Sequence, residues 1–256
     1  MSRKMFLIGT SVTLLAMPGV MAVAGAGKSN NTLNAADIVA KNITARGGHA
    51  AWSAVQTISM AGKMEAGTKS NVQLPFSLEL KRGGKSRLEI QFADQTAVQV
   101  YDGVNGWKVR PYLNRREVEP YTAEEAKQAA VQSDLDGLLI DYAAKGSNVE
   151  LEGQDKVEDR NAYKLKVTLK DGRVRHVWVD AETFLEAKVE GSPRRLDGKY
   201  HPVSIYFRDY KPVQGLILPY VIETAVDGVA QTEKILIEKI SVNPKLDDAR
   251  FVKPVL

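Results

Sequence analysis

Residues 163–180 read YKLKVTLKDGRVRHVWVD. Tyr163, Leu165, Val167 and Leu169 alternate with Lys164, Lys166, Thr168 and Lys170; Asp171-Gly172 then interrupts, and a second apolar run follows from Val174 to Val179. A period of two gives a strand one greasy and one wet face, and Asp-Gly between two such runs is a tight antiparallel hairpin signal. The same pattern extends in both directions. Upstream, Ile58, Met60 and Met64 alternate with Thr57, Ser59, Lys63 and Glu65; Leu74, Phe76, Leu78 and Leu80 with Pro75, Ser77 and Glu79; Leu88, Ile90 and Phe92 with Arg87, Glu89 and Gln91. Gly83-Gly84, Asp102-Gly103 and Asn105-Gly106 sit at hairpin spacing and separate further runs at Val98 to Tyr101 and Trp107 to Tyr112. Downstream, apolar runs lie around Leu185 to Val189, Val203 to Tyr210 and Leu218 to Val226, and Asp227-Gly228 leads into a last strand ending near Val242. No repeat of fixed length is visible, which argues against a solenoid or propeller.

Two segments break this period. Asn34 is placed to cap a helix with Asp37 three residues on; Ala35, Ile38, Val39 and Ile43 form its stripe before Gly47-Gly48 stops it, and His49 to Val55 adds a short turn carrying Trp52. A helical insert is expected at about 122–145. Thr122-Ala123-Glu124-Glu125 fits a capping box, Ser133-Asp134-Leu135-Asp136 imitates one, and Leu135, Leu138, Leu139 and Tyr142 fall at i, i+3, i+4 and i+7 before the Lys145-Gly146 stop.

About a dozen strands and two helical segments predict a mainly β protein with helices (α+β), built on one strongly curved antiparallel sheet, open or nearly closed. Two short helices barely cover the apolar face of such a sheet, so the arithmetic favours a hollow. Its candidate wall residues are Met60, Met64, Leu78, Leu88, Ile90, Val98, Val100, Leu165 and Val167, with Leu135, Leu138, Leu139 and Tyr142 facing the mouth or the cavity. The alternative for each is permanent core, since core and cavity walls share one chemistry. Trp107 is placed either to cover a cavity end or to anchor a hairpin.

The chain has 256 residues, 44% of them hydrophobic and 26% charged, and no cysteine. This is a globular composition, and it excludes thiol nucleophiles, thiolate metal sites, iron–sulfur clusters and acylation at a lipobox cysteine. Arg3 and Lys4 precede an interrupted apolar run from Met5 to Met21 and the small residues Ala22 to Ala26. Residues 1–26 therefore read as a cleavable signal peptide, cut after Ala24 or Ala26, and residues 27–33 as a flexible leader before a single domain over residues 34–256. Loss of Arg3 and Lys4 leaves a charge of about +2, too little to argue for nucleic acid. Export without lipidation points to the periplasm, with a monomer expected.

Catalytic patterns are missing. His49, His176 and His201 have no metal-ligand spacing, and no G-x-S-x-G elbow occurs. Asp134, Asp136 and Asp141 lack an EF-hand pattern, and no cofactor is expected. Arg110, Arg115 and Arg116, and likewise Arg194, Arg195 and Lys199, form basic clusters in expected loops, placed to meet anionic headgroups or simply solvated.

A helix ending RGG, then VQTISMAGKM, YDGVNGW, the insert EEAKQAAVQSDLDGLLIDYAAKG, YKLKVTLKDGRVRHVWVDAETF and a closing VNPKLDDARF together resemble the exported outer-membrane lipoprotein-sorting, LolA/LolB-like proteins, over most of Asp37 to Phe251. The resemblance implies an unclosed barrel of about eleven antiparallel strands, helices acting as a lid, and an apolar cavity for lipid or lipoprotein acyl chains. It implies a non-enzymatic carrier moving cargo toward the outer membrane, with an inner-membrane transporter and an outer-membrane acceptor as partners. It also implies an arginine that holds the lid shut, for which Arg87 is the candidate. An envelope sensor or regulatory protein-interaction module on the same fold is the alternative, and an envelope hydrolase the third.

Overall fold

The computed structural model describes residues 33–65 and 72–255. The expected signal peptide, residues 1–26, lies outside the described residues, as does the expected leader apart from Leu33, which packs against the core. Two helices open the described chain, α1 (Ala35–Ala45) and α2 (His49–Ser53). Asn34 caps α1 as its sequence predicts: its side chain accepts from the Asp37 backbone N–H while the Asp37 carboxylate accepts from that of Asn34.

The first run of strands is β1 (Thr57–Glu65), β2 (Gln73–Lys81), β3 (Lys85–Phe92), β4 (Gln95–Tyr101), β5 (Gly106–Arg110) and β6 (Arg115–Pro120). Helix α3 (Ala123–Gln132) and a series of turns follow. The second run is β7 (Asn148–Val157), β8 (Arg160–Thr168), β9 (Val174–Asp180), β10 (Glu186–Glu190), the small hairpin β11 (Arg194–Leu196) and β12 (Lys199–His201), then β13 (Val203–Val213), β14 (Leu216–Val226) and β15 (Glu233–Val242). The hairpin read from residues 163–180 is β8–β9, with Leu165 opposite Val177.

Thirteen strands form one antiparallel sheet in the order β6-β5-β4-β3-β2-β1-β15-β14-β13-β10-β9-β8-β7; β11 and β12 pair only with each other. Apart from β6 and β7, and with the β11–β12 hairpin set aside, strands consecutive in sequence lie side by side, and the last strand returns to the first, Ile58 standing opposite Val242. The sheet is not closed: β6 and β7 are its edges, and residues 121–147 are the chain that joins them. The count exceeds both the dozen read from periodicity and the eleven implied by resemblance. β6 and the β11–β12 hairpin account for much of the excess, and their charged sequences gave no apolar alternation to read. The basic clusters expected in loops lie on strands instead: Arg110 ends β5, Arg115 and Arg116 are on β6, Arg194 and Arg195 on β11, and Lys199 on β12.

The register shifts between Ala61 and Gly62 where β1 meets β15. At Gly62 a Cβ would lie 2.0 Å from the Leu236 carbonyl oxygen, so only glycine fits this bulge.

The insert departs most from expectation. Its helix ends at Gln132, and residues 135–146 run through successive turns. Gly137 (φ +72°) and Asp141 (φ +53°) both take left-handed backbone, which an α-helix cannot contain. The i, i+3, i+4, i+7 stripe is nonetheless largely inside: Leu135 and Leu139 are buried, Leu138 and Tyr142 half-buried.

Two apolar clusters make up most of the core. One gathers Trp52, Ile58, Phe76, Leu80, Leu216 and Ile240 with Leu135 and Ile140 of the insert. The other gathers Ile38, Val149, Leu165, Val167 and Val179 with Leu139 of the insert. The turn after α3 thus inserts side chains into both. The described residues form one compact unit, and no helix among them is long and apolar enough to cross a membrane.

Candidate functional site

Strand alternation and register put Ile58 and Met60 of β1 on one face with Leu78 and Leu80 of β2. Between this face and the insert lies a cavity of about 320 Å³. From the sheet it is lined by Met60, Leu80, Val177, Ile205, Leu218 and Ile222, and from the insert by Val131, Leu135, Leu138 and Leu139. Leu80 on β2 and Val177 on β9 border the same space although six strand spacings separate their strands, roughly 29 Å in a flat sheet. The sheet therefore bends around the cavity. Its volume falls at the lower end of the range of small-ligand pockets, about 300–1,000 Å³.

The insert is fixed to the sheet by two arginines. Arg82, just past β2, donates Nη1 to Asp136 Oδ2 at 2.8 Å and Nη2 to Asp136 Oδ1 at 3.0 Å, a bidentate pair. The same guanidinium donates to the carbonyls of Val55 (2.7 Å) and Trp52 (2.9 Å), which aims it. Arg46 donates to the Asp136 carbonyl at 3.3 Å and to Glu186 Oε1 at 3.2 Å, and its guanidinium lies 4.2 Å from the Trp52 ring centre. Burial alone would raise the Asp136 carboxyl. The Arg82 hydrogen bonds and charge, with Lys145 and Arg46 nearby, outweigh that and hold it below the usual carboxylate range. The other two aspartates of the insert are also engaged: Asp134 with Lys145, and Asp141 with His49 at 2.9 Å. Among the described residues no group of three or more His, Asp or Glu is placed to hold a metal ion.

Gly47 makes the Arg46 position possible. At φ +113° it is in left-handed backbone, and a Cβ there would sit 2.2 Å from the Gly215 carbonyl oxygen, so the end of α1 lies directly on the β13–β14 turn. The Arg46 carbonyl accepts from the Ile217 backbone N–H at 3.0 Å. Tyr210, a further wall residue, donates to the Glu186 carbonyl at 3.0 Å, and burial pushes its hydroxyl well above its ordinary pKa.

No protein-family model and no curated protein matches this chain. Solved structures do. A LolA superfamily protein from Nitrosomonas europaea superposes with a TM-score of 0.57 at 14% identity, covering 86% of this chain and 98% of the other. A domain assigned to outer membrane lipoprotein sorting from Vibrio parahaemolyticus gives 0.56 at 14% identity, covering 84% and 94%. The fold is LolA-like. A DUF1329 family protein from Desulfovibrio piger is similar to the same degree, with a TM-score of 0.56, 14% identity and coverage of 85% and 97%.

Within this LolA-like frame the residues singled out from sequence separate into four groups. Met60, Leu135, Leu138 and Leu139 border the cavity. Met64, Leu78, Leu88 and Ile90 share the inner face with Met60 and pack against the core cluster beside it. Leu165, Val167 and Tyr142 belong to the second cluster, behind Val177 and Leu139. Val98, Val100 and Trp107 are on the other side of the sheet: Glu89 faces Val98, and Arg87 faces Val100, which faces Trp107. Directly opposed residues share a face, so these three stand with Glu79 and Arg87, away from Met60 and Leu88. Arg87 itself donates to Glu89 at 2.6 Å and to the Arg250 carbonyl at 3.1 Å and makes no hydrogen bond to the insert. The arginines that bind the insert are Arg82 and Arg46. Neither showed in the sequence, because each lies at the end of an element beside a Gly-Gly pair, where no periodicity marks it.

Proposed function

We propose that this chain is a non-enzymatic carrier or chaperone that shelters lipid or lipoprotein acyl chains in the cavity under the insert. The open sheet then acts as an incomplete barrel and the insert as its lid. The single observation that carries this is the void itself, walled by Met60, Leu80, Ile222, Leu135 and Leu138 where a protein of fixed core would be packed solid. Burying a sixteen-carbon chain is worth on the order of 12 kcal/mol, at about 0.8 kcal/mol for each CH₂, and only a concave apolar site supplies that. Methionine at position 60 suits a wall that must repack around different chains.

The LolA-like fold supports the same reading, as does the bidentate Arg82–Asp136 pair, which serves as a latch between sheet and lid. Opening of the whole insert then requires that this pair, the Arg46 and His49 contacts and the Lys108–Glu125 pair yield together with its apolar contacts. Export by a signal peptide, a periplasmic location and transfer from an inner-membrane donor to an outer-membrane acceptor complete the proposal. Native mass spectrometry of protein taken from the periplasm tests it. The intact protein carries co-purifying lipid mass, and Leu138→Asp, which charges a half-buried cavity wall, loses it while keeping its far-UV circular dichroism. Recovery of both proteins lipid-free and equally folded overturns the proposal.

A further inference from the structure

The cavity wall is not uniformly apolar. Arg173, just before β9, and Arg175 and Val177 on it point the same way by strand alternation, and all three line the cavity. Each carboxylate that borders the same space is occupied: Glu186 by Arg46 at 3.2 Å, Asp134 by Lys145, Glu190 by His176. Arg175 forms no ion pair among the described residues. It donates Nη1 to the Val174 carbonyl at 3.0 Å and Nη2 to Ser192 Oγ at 2.9 Å. Arg173 gives Nε to Asp171 at 2.7 Å, and its Nη1 is buried with no acceptor among the described residues.

A guanidinium half-withdrawn from water beside apolar wall is costly until an anion meets it. The surroundings add to the imbalance. A shallower recess of about 540 Å³ shares Val131, Gly137, Leu138 and Arg173 with the cavity and adds Lys145 and Lys170. Its acids are Asp134 and Asp171, both already paired. Lys145 is taken up by Asp134 and Arg173 by Asp171, which leaves Lys170 at the rim and Arg175 in the cavity as the cations without an ion pair among the described residues.

Resting on the carrier reading above, we propose that the cargo is an anionic amphiphile, its phosphate or carboxylate held by Arg175 and Arg173 and its acyl chain lying along Met60, Leu80 and Ile222. A guanidinium presents a planar fork of N–H donors that matches either anion, and the two, one just before β9 and one on it, line the same cavity. Neutral glycerides of the same chain length fill the apolar wall but leave the arginines unmet.

Isothermal titration of the delipidated full chain with four probes tests this: 1-palmitoyl-lysophosphatidic acid, palmitic acid, 1-palmitoylglycerol and inorganic phosphate. The two acids are expected to bind about tenfold more tightly than the glyceride. Replacing Arg173 and Arg175 together by glutamine is expected to abolish that difference while leaving glyceride affinity unchanged. The milder Arg175→Lys, which keeps the charge, retains part of it. Equal affinity of the native protein for acids and glyceride overturns the headgroup assignment and leaves the carrier reading standing. Absence of binding by all three palmitoyl probes overturns both. Inorganic phosphate binding as tightly as the lysolipid shows a free-anion site and overturns the amphiphile.

Discussion

The two halves of the insert are held in different ways. Helix α3 has a capping box, one buried residue, Ala129, and an ion pair from Glu125 to the buried Lys108 of β5. The turn that follows buries Leu135, Leu139 and Ile140 in two core clusters and is gripped by Arg82 and Arg46. Both halves border the cavity, α3 through Gln128, Val131 and Gln132. Apolar burial is the larger energy, so the turn is the anchor and α3 is the more weakly held half.

Substitutions can break this contrast. The largest effect is expected for Leu139→Asp, which puts a charge at a site 1% exposed: a loss of about 4 kcal/mol or more in urea unfolding, with wild-type-like stability refuting the anchor assignment. Arg82→Ala comes next, since it leaves the buried Asp136 carboxylate without its bidentate partner, at a cost of about 3 kcal/mol. A double-mutant cycle with Asp136→Ala should return a coupling of at least about 1 kcal/mol; additive effects would mean the latch contributes nothing.

Acid should loosen the turn less than deleting the arginine does. The Asp136 carboxyl is held below its ordinary value in the folded protein, so its contribution is complete above the unfolded value near 3.9 and is lost as pH falls through the lower folded one. Stability measured across that acid range should fall less steeply in Asp136→Asn than in the native protein. The smallest effect is expected for Lys108→Met, about 1 kcal/mol or less, read as faster amide exchange confined to α3. Exchange quickening equally through residues 135–141 would erase the distinction between the halves.

Much of the sheet was legible because alternation over four or more residues has no other physical source, and the β8–β9 hairpin is the plainest case. Alternation defines two faces but does not say which of them is covered. Leu88 and Ile90 on β3 are inward, whereas Val98 and Val100, one strand away, are apolar on the outer face. That face is covered in part by a 3₁₀ turn from the C-terminus, Asp248–Phe251: Asp248 meets Lys81 (3.1 Å) and Lys85 (2.7 Å), Arg250 meets Glu79, and Phe251 is 1% exposed. Nothing local to β4 announces a segment that returns from the other end of the chain. The insert misled for a related reason. Leu135, Leu138 and Leu139 carry helical spacing, but their burial comes from turns set by Gly137 and Asp141. Arg82 was invisible because its partner is Asp136, and a pairing across that distance leaves no mark in either neighbourhood.

The pairing of β1 with β15 has a consequence for how the molecule comes into being. Its sheet is joined at the middle by the two strands nearest the ends of the described chain, with Ile58 held against Val242. Until the last strand arrives, the two halves of the meander are separate sheets, each with a raw edge ready to accept a foreign strand. Of all the strand pairs in the sheet this one spans the greatest sequence separation, the kind of contact whose closure costs most chain entropy and slows folding.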